Sequence, residues 1–166
     1  AYQGYYDDAL GITWLADADY ARTTGYTEDG RMTWLASLGW LASLNAASHL
    51  GVDNWRLPTV VDTDLPGCTG QSFAGTDCGW NVDVSTSEMA HLFHDTLGNS
   101  AAYDSDGGWT GCYLNLPNGC LANTGPFSNV AAYGYFSGTT YAPDANDVWM
   151  FNFHSGSQYN ELKTGE

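Results

Sequence analysis

Apolar side chains recur at helical spacing over residues 33–45. We predict a helix that begins after Thr33, a candidate N-cap, and runs through Asn45. One face of this helix holds most of its apolar side chains, namely Trp34, Leu35, Leu38, Leu41 and Ala42. Trp40 and Leu44 point away from that face. We therefore expect Trp40 and Leu44 to form an interface with another copy of the chain. The alternative is that long loops of the same chain cover them.

A second helical pattern begins at residues 85–88, whose sequence STSE has the form of a capping box with Ser85 as N-cap. Gly98 is expected to end this helix. Its other side is polar and holds His91 and His94. A Glu-x-x-His pair binds metal in di-metal proteins, but the chain lacks the second copy that such a site needs, so we predict a solvated polar face. The predicted buried stripe consists of Met89, Leu92, Phe93 and Leu97.

The other ordered segments have the composition of strands. Ile12–Leu15 is the clearest of the early ones, within residues 2–16. In the last one, three aromatic residues alternate with Met150 and Asn152, which is typical of a half-buried strand. Two helices followed by strands predict an α+β fold, in a single domain over 1–166. The later predicted strands are Trp109–Leu116, Ala131–Thr140 and Val148–Phe153.

The four cysteines fall into two local pairs, Cys68 with Cys78 and Cys112 with Cys120. Four cysteines allow three connectivities, and we favour the local one because the enclosed loops are too rich in glycine and polar residues to hold a shape by apolar burial. A zinc site is disfavoured because no Cys-x-x-Cys motif is present. Disulfides indicate an oxidising compartment. The chain begins at Ala1, and we expect a secreted, extracellular protein whose signal peptide has been removed.

The formal net charge is −15, with a sequence pI near 4.1. Such a surface repels phosphate backbones, anionic membranes and highly sulfated glycans, so nucleic acid is excluded as a partner. The longest uncharged run, 32–52, is interrupted by serine, asparagine and histidine, and we expect no membrane insertion.

Motifs of nucleophilic hydrolases are absent, and both cysteine pairs are expected to be closed. We therefore expect no enzymatic activity.

Acidic doublets in loops indicate calcium, because Ca²⁺ prefers carboxylate and carbonyl oxygens as ligands. The best candidates are Asp17, Asp19, Asp104 and Asp106. An EF-hand that starts at Asp17 is excluded, because Arg22 occupies the position that requires glycine. A solvated acidic surface explains any single doublet equally well. We expect at least one bound Ca²⁺ ion.

One of the chain's four cations lies in the sequence NWRLPT, residues 54–59. If this segment is extended, Arg56 faces away from Trp55 and Leu57, and Pro58 ends the strand. An arginine buried there needs fixed acceptors, and the 19 acidic residues supply them readily. We predict that Trp55, Arg56 and Pro58 form a structural clamp, with Arg56 buried and paired. A substrate-binding arginine is the alternative.

Several motifs occur in a characteristic order: ITWLAD, GRMTW, NWRLPT, GWNVDVSTSEMAHLF, NTGPFSN, YFSGT and VWMFNF. In this respect nearly the whole chain resembles the bacterial domain family named after the C-terminal domain of the Legionella collagen-like protein. The WRLPT motif is also similar to one in formylglycine-generating enzymes, which have a C-type-lectin-like fold. The resemblance implies two helices packed on a mostly antiparallel sheet, with long disulfide-stapled loops.

The resemblance also implies a secreted or surface-displayed protein, since the founding member of the family is a trimeric adhesin domain. That member binds sulfated glycans through basic surfaces, which this acidic chain lacks. The family continues with one more aromatic strand after the region of Phe153. The chain ends at Glu166, so we expect a sheet edge that is open or filled by another segment.

Two functions fit these observations. The first is a non-catalytic extracellular module that binds carbohydrate, assisted by Ca²⁺. The chain has more tyrosines than a small core needs, and tyrosine suits both sugar stacking and protein interfaces. The second is a self-assembling subunit of an extracellular oligomer or filament, formed through the uncharged first helix or the C-terminal edge. The tyrosines concerned are Tyr2, Tyr5, Tyr6, Tyr103, Tyr113, Tyr133, Tyr135, Tyr141 and Tyr159.

Overall fold

A computed structural model of the chain describes residues 3–63 and 72–165. The described residues form two units, and the chain passes from the first to the second between Arg56 and Leu57. The first unit also includes Thr124–Val130, and the second continues with Ala131–Lys163. Both contain antiparallel strands, and helices are few. The prediction of one domain over 1–166 stays a prediction.

The first unit begins with an antiparallel hairpin of β1 (Gly4–Asp7) and β2 (Ile12–Leu15), which confirms the predicted strand. The Gly11 amide closes the turn by donating to the Asp7 carbonyl at 2.8 Å. Gly11 has a φ of +68°, in the region that favours glycine. Beyond β2, the chain forms a parallel bridge between Asp17 and Ser128.

Two helices follow in this unit, α1 (Tyr20–Thr23) and α2 (Trp34–Ala46). The N-cap prediction is confirmed, since Thr33 Oγ1 accepts a hydrogen bond from the Ala36 amide at 3.2 Å. No helix among the described residues has the length and hydropathy needed to cross a membrane. The described helices of this unit end with a short 3₁₀ turn, His49–Gly51.

The buried face of α2 differs from the predicted one. Ser37, Leu41 and Leu44 are buried, whereas 66% of Leu35 is exposed. Leu44 is therefore covered within the chain itself, which was the alternative to the expected interface, and Trp40 is half-buried. Ser37 is compatible with burial because its hydroxyl donates to the Trp34 carbonyl at 2.7 Å. A reading of apolar positions alone does not detect such a residue.

The second unit contains a four-stranded antiparallel sheet in the order β3-β6-β5-β4. Its strands are β3 (Gly79–Trp80), β4 (Gly134–Thr140), β5 (Asp147–Asn152) and β6 (Ser157–Leu162). β6 pairs with β5 along its whole length, from Asp147 opposite Leu162 to Asn152 opposite Ser157. The family resemblance predicted a sheet edge that is open or filled by another segment. The edge beside β5 is filled by β6, which follows Phe153 in the same chain.

β5 is buried on both faces, so the prediction of a half-buried strand is wrong. Trp149 and Phe151 lie on one face, and Phe151 contacts Phe93 at 5.5 Å between ring centroids. Met150 on the other face is covered by Tyr159, whose hydroxyl lies 3.0 Å from the Met150 sulfur. The alternation of Met150 and Asn152 with the aromatic residues predicts one exposed face. The sequence of β5 alone therefore does not reveal that Tyr159 covers Met150.

The second helical segment starts later than predicted. α3 (Glu88–His91) has Ser87, not Ser85, as its N-cap, with Ser87 Oγ accepting from the Ala90 amide at 3.2 Å. The Ser85 hydroxyl instead donates to Asp83 at 2.7 Å. A π-helical turn follows, and Gly98, with a φ of +69°, ends the segment as predicted. The predicted stripe of Met89, Leu92, Phe93 and Leu97 is buried.

The predicted strand Trp109–Leu116 is not formed. Residues Cys112–Leu114 instead make a 3₁₀ turn that follows Gly111, which has a φ of +79°. Cys112 is bonded to Cys120, with 4.6 Å between their Cα atoms, and so this predicted disulfide is confirmed. The other predicted pair includes Cys68, which lies outside the described residues.

Candidate functional site

In the segment NWRLPT, where the clamp is predicted, Trp55 is anchored by hydrogen bonds on both sides. The Asn45 side chain donates to the Trp55 carbonyl at 2.9 Å and accepts from the Trp55 amide at 2.7 Å. The Trp55 indole donates to the His49 carbonyl at 3.0 Å. Arg56 is exposed, so its predicted burial is wrong. An exposed guanidinium keeps its hydration, which avoids the large cost of burying a charge.

Pro58, the third residue of the predicted clamp, lies in the second unit. Its carbonyl accepts from the Gly138 amide at 2.8 Å, which ties the segment to β4. Two residues later, the Val60 amide donates to the Thr139 hydroxyl at 3.0 Å. Trp55 and Pro58 each hold neighbouring backbone in place. A structural or a substrate-binding role for Arg56 stays a prediction.

The first pair of calcium candidates is already engaged in hydrogen bonds. The Asp17 carboxylate accepts from Thr23 at 2.6 Å, Asn129 at 2.9 Å and the Asp19 amide at 3.0 Å. Partial burial opposes its charge, but these hydrogen bonds outweigh burial and hold the pKa of Asp17 below its ordinary value. Partial burial raises the pKa of Asp19, against the nearby positive charge of Arg22.

The second pair forms a turn. Asp104 Oδ1 accepts from the Asp106 amide at 3.0 Å and from the Gly108 amide at 2.7 Å. Within the part of the chain that the structure describes, no three acidic, histidine or cysteine side chains converge as a metal-ligand set. Calcium binding at Asp17, Asp19, Asp104 or Asp106 stays a prediction.

The predicted solvated face of the second helix is wrong for one histidine. His94 Nδ1 lies 3.1 Å from the Asn99 carbonyl, and its Nε2 is buried without a hydrogen-bond partner. The ring packs edge-on against Phe93 and Phe151, at 5.0 and 6.0 Å. Burial lowers the pKa of His94, which the Asn99 hydrogen bond and the charge of Asp95 only partly oppose.

A surface pocket in the second unit is a better candidate for a ligand site. It has a volume of about 470 Å³, within the usual range for small-molecule sites. The residues around it come from the disulfide loop, the start of β4 and the turn after β5. They are Pro117, Asn118, Ala131, Ala132, Tyr133, Gly134, Asn152 and His154. We call this the Tyr133 pocket.

The polar side chains of the Tyr133 pocket differ in their availability. Asn152 is occupied, since its Oδ1 accepts from the His154 amide at 2.8 Å and its side chain also bonds Tyr159. The side chains of Asn118 and His154 make no hydrogen bond to any other described residue. Two of the pocket's polar side chains are therefore free to bind a ligand.

The pocket is held in shape by its backbone. The Cys120 amide donates to the His154 carbonyl at 2.8 Å, which ties the disulfide loop to the turn after β5. A Cβ atom at Gly119 would overlap the carbonyl and Nδ1 of His154, so the loop can approach this closely only with glycine. The Phe153 amide donates to the Tyr133 carbonyl at 2.9 Å. The three walls are thus linked directly.

Searches against protein-family models, curated proteins and solved structures found no match to the chain. The site therefore rests on its own geometry, and the family resemblance stays a prediction. Sequence reasoning singled out Tyr133 as a tyrosine in excess of core needs, but it missed Asn118 and His154. A polar residue before a glycine in a stapled loop, and a histidine just after a buried strand, are the signals that were present.

Proposed function

We propose that the protein is a non-catalytic extracellular module that binds an uncharged carbohydrate in the Tyr133 pocket. The observation that carries this proposal is the placement of an exposed tyrosine beside two polar side chains that make no hydrogen bond to other described residues. Tyr133 is 61% exposed, and Asn118 and His154 line the same pocket.

The proposed contacts follow from the chemistry of sugars. A pyranose ring presents a face of C–H groups, which stacks on an aromatic ring, and a rim of hydroxyl groups. Tyrosine supplies an apolar face with a polar tip. The Asn118 amide offers both donors and an acceptor, and the His154 imidazole offers two ring nitrogens that can form hydrogen bonds. These groups match neighbouring hydroxyls, which are themselves both donors and acceptors.

The charge of the chain selects among carbohydrates. No Asp, Glu, Lys or Arg lines the Tyr133 pocket, and the net charge of −15 repels anionic ligands from a distance. Sulfated or uronic-acid polymers are therefore disfavoured. The pocket also offers no carboxylate to a cation, so the proposed contact does not require Ca²⁺.

The proposed setting is extracellular, and the proposed fold is C-type-lectin-like. The Cys112–Cys120 disulfide supports an oxidising compartment. Antiparallel sheets with few helices and a disulfide-stapled loop support the fold. Membership of the family identified from the ordered motifs belongs to the same proposal.

The proposal is tested by depletion and affinity electrophoresis with uncharged polysaccharides, namely cellulose, chitin, xylan and glycogen, with dextran sulfate as the anionic control. We expect binding to at least one uncharged polymer and none to dextran sulfate, in excess chelator as well as in Ca²⁺. Tyr133→Ala should weaken that binding about tenfold or more, since losing an aromatic contact costs about 1.5–3 kcal/mol.

Tyr26→Ala is the matched control, because Tyr26 is 49% exposed and belongs to the first unit. It should bind like the unmodified protein. Failure to bind any uncharged polymer, or equal binding by the two variants, would contradict the proposal.

A second candidate function is a self-assembling subunit of an oligomer or filament. It is favoured by α2, which carries no charged residue although the chain is strongly acidic. Leu35 is 66% exposed on this helix and replaces Leu44 as the expected contact residue. A second copy of the chain meets the least charge repulsion at such a surface.

A further inference from the structure

A row of aromatic side chains continues outward from the Tyr133 pocket. The ring of Tyr113 lies 4.4 Å from the ring of His154, which lines the pocket, and Trp109 lies 6.2 Å beyond Tyr113. Trp109 is 47% exposed and Tyr113 is 44% exposed. Both side chains therefore keep part of their surface accessible to a ligand.

The outer end of this row is fixed. Trp109 forms a β-bridge with Tyr103, and their rings pack at 5.0 Å. Tyr103 in turn contacts Trp80 at 4.6 Å. The Thr110 amide donates to the Ala102 carbonyl at 3.0 Å. Because these contacts hold Trp109 in place before a ligand arrives, little conformational entropy is lost on binding.

Tyr113 is held in place by the disulfide loop and by His154. It follows Cys112, which the disulfide joins to Cys120, and the Cys120 amide is bonded to the His154 carbonyl. Tyr113 and His154 pack edge to face, with an interplanar angle of 84°. The three rings therefore have a defined order along the surface, from Trp109 through Tyr113 to the pocket.

We infer that this row extends the Tyr133 pocket into a cleft that holds several consecutive sugar rings of an uncharged polysaccharide, with Trp109 and Tyr113 as additional stacking positions. The inference rests on the proposed function and deepens it. The ligand is then a sugar chain, since a sugar bound in the pocket alone leaves the outer rings unused. Affinity should increase with chain length until the outermost ring is covered.

Two more apolar side chains are exposed on the same loop, Leu114 at 71% and Leu116 at 81%. They make no ring contact with the aromatic row, and aliphatic side chains lack the flat face that sugar stacking uses. Substituting them therefore tells a sugar-binding cleft from a surface that binds through exposed apolar area in general. Adhesion by exposed apolar area would depend on Leu116 at least as much as on Trp109.

The experiment is calorimetric titration of the whole protein with cello-, chito-, xylo- and malto-oligosaccharides, each as a disaccharide, a tetrasaccharide and a hexasaccharide. In the series that binds, we expect the hexasaccharide to bind at least tenfold more tightly than the disaccharide. Trp109→Ala should remove most of that gain and leave disaccharide affinity within about twofold. Trp109→Phe keeps a ring and should retain part of the gain.

Leu116→Ala is the matched control and should leave the whole series unchanged. Thermal unfolding of each variant checks that it is folded, and Tyr113→Ala replaces Trp109→Ala if the latter is not. Equal affinity for all lengths, with binding that still depends on Tyr133, would overturn the cleft but leave the proposed function standing. Absence of binding in every series, or a loss in Leu116→Ala that equals the loss in Trp109→Ala, would also overturn it.

Discussion

His94 has one nitrogen bonded to a carbonyl and the other buried without a partner. A carbonyl only accepts, so Nδ1 carries the hydrogen and Nε2 is bare in the neutral ring. Protonation would place a charge and an unpaired donor in an apolar environment. This is the reason why burial lowers the pKa of His94.

The lowered pKa predicts a stability that depends on pH. The unfolded chain binds a proton at His94 near the ordinary pKa of 6.5, whereas the folded chain does so only at lower pH. The stabilisation is therefore complete above pH 6.5 and is lost as the pH falls towards the folded pKa. We expect the free energy of unfolding to decrease from pH 7 to pH 5.5, before most carboxylates titrate.

His94→Gln tests this prediction, because glutamine can still donate to Asn99 but does not titrate. Its unfolding free energy, measured by urea denaturation, should decrease less over the same pH range. His91→Gln, on the same helical segment, keeps His94 and is the control. Parallel pH profiles for the unmodified protein and His94→Gln would contradict the prediction.

At the scale of elements, features set by a single local interaction were predictable. Thr33 and Gly98 act locally, through one side-chain oxygen and one positive φ, so the sequence is sufficient to identify them. The burial of Leu44 and of both faces of β5 depends on what packs there, which is set by distant residues. In place of the strand expected at Trp109–Leu116, a 3₁₀ turn forms at Cys112–Leu114.

The candidate site was less predictable than the elements. Asn118, Tyr133 and His154 come from three separate parts of the chain and meet only because β4, β5 and the disulfide loop are adjacent. The segment around Arg56 was also only partly predictable. The sequence indicated that this segment is held in place, but the side chain that bonds the Trp55 backbone is Asn45, ten positions earlier in the chain.

The link between α2 and Trp55 gives a second prediction. Asn45→Asp replaces the donor to the Trp55 carbonyl with a negatively charged oxygen, so the hydrogen bond becomes a repulsion. We expect a loss of about 1–3 kcal/mol in the free energy of unfolding. Asn54→Asp adds the same charge at an exposed side chain next to Trp55 and should change the unfolding free energy by less than about 0.5 kcal/mol. Urea denaturation measures both, and equal losses would mean that charge, not the hydrogen bond, is responsible.

At the scale of the whole molecule, the net charge of −15 opposes any contact between copies of the chain. Salt weakens this repulsion, because the screening length falls from about 10 Å at 0.1 M to about 3 Å at 1 M. Apolar attraction between uncharged surfaces is not weakened in this way. Self-association through α2 should therefore strengthen with ionic strength, whereas association through ion pairs would weaken.

Sedimentation velocity from low to high salt provides the measurement. We expect the weight-average mass to rise with salt, and Leu35→Glu to suppress the rise by placing a charge on the exposed side of α2. Tyr6→Glu adds the same charge at a side chain that is 70% exposed on β1, a different element, and should leave the rise intact. If the mass stayed monomeric at every salt concentration, or if both variants suppressed association equally, α2 would not be the contact. In that case the uncharged helix would be a feature of the monomer, and carbohydrate binding would remain as the proposed function.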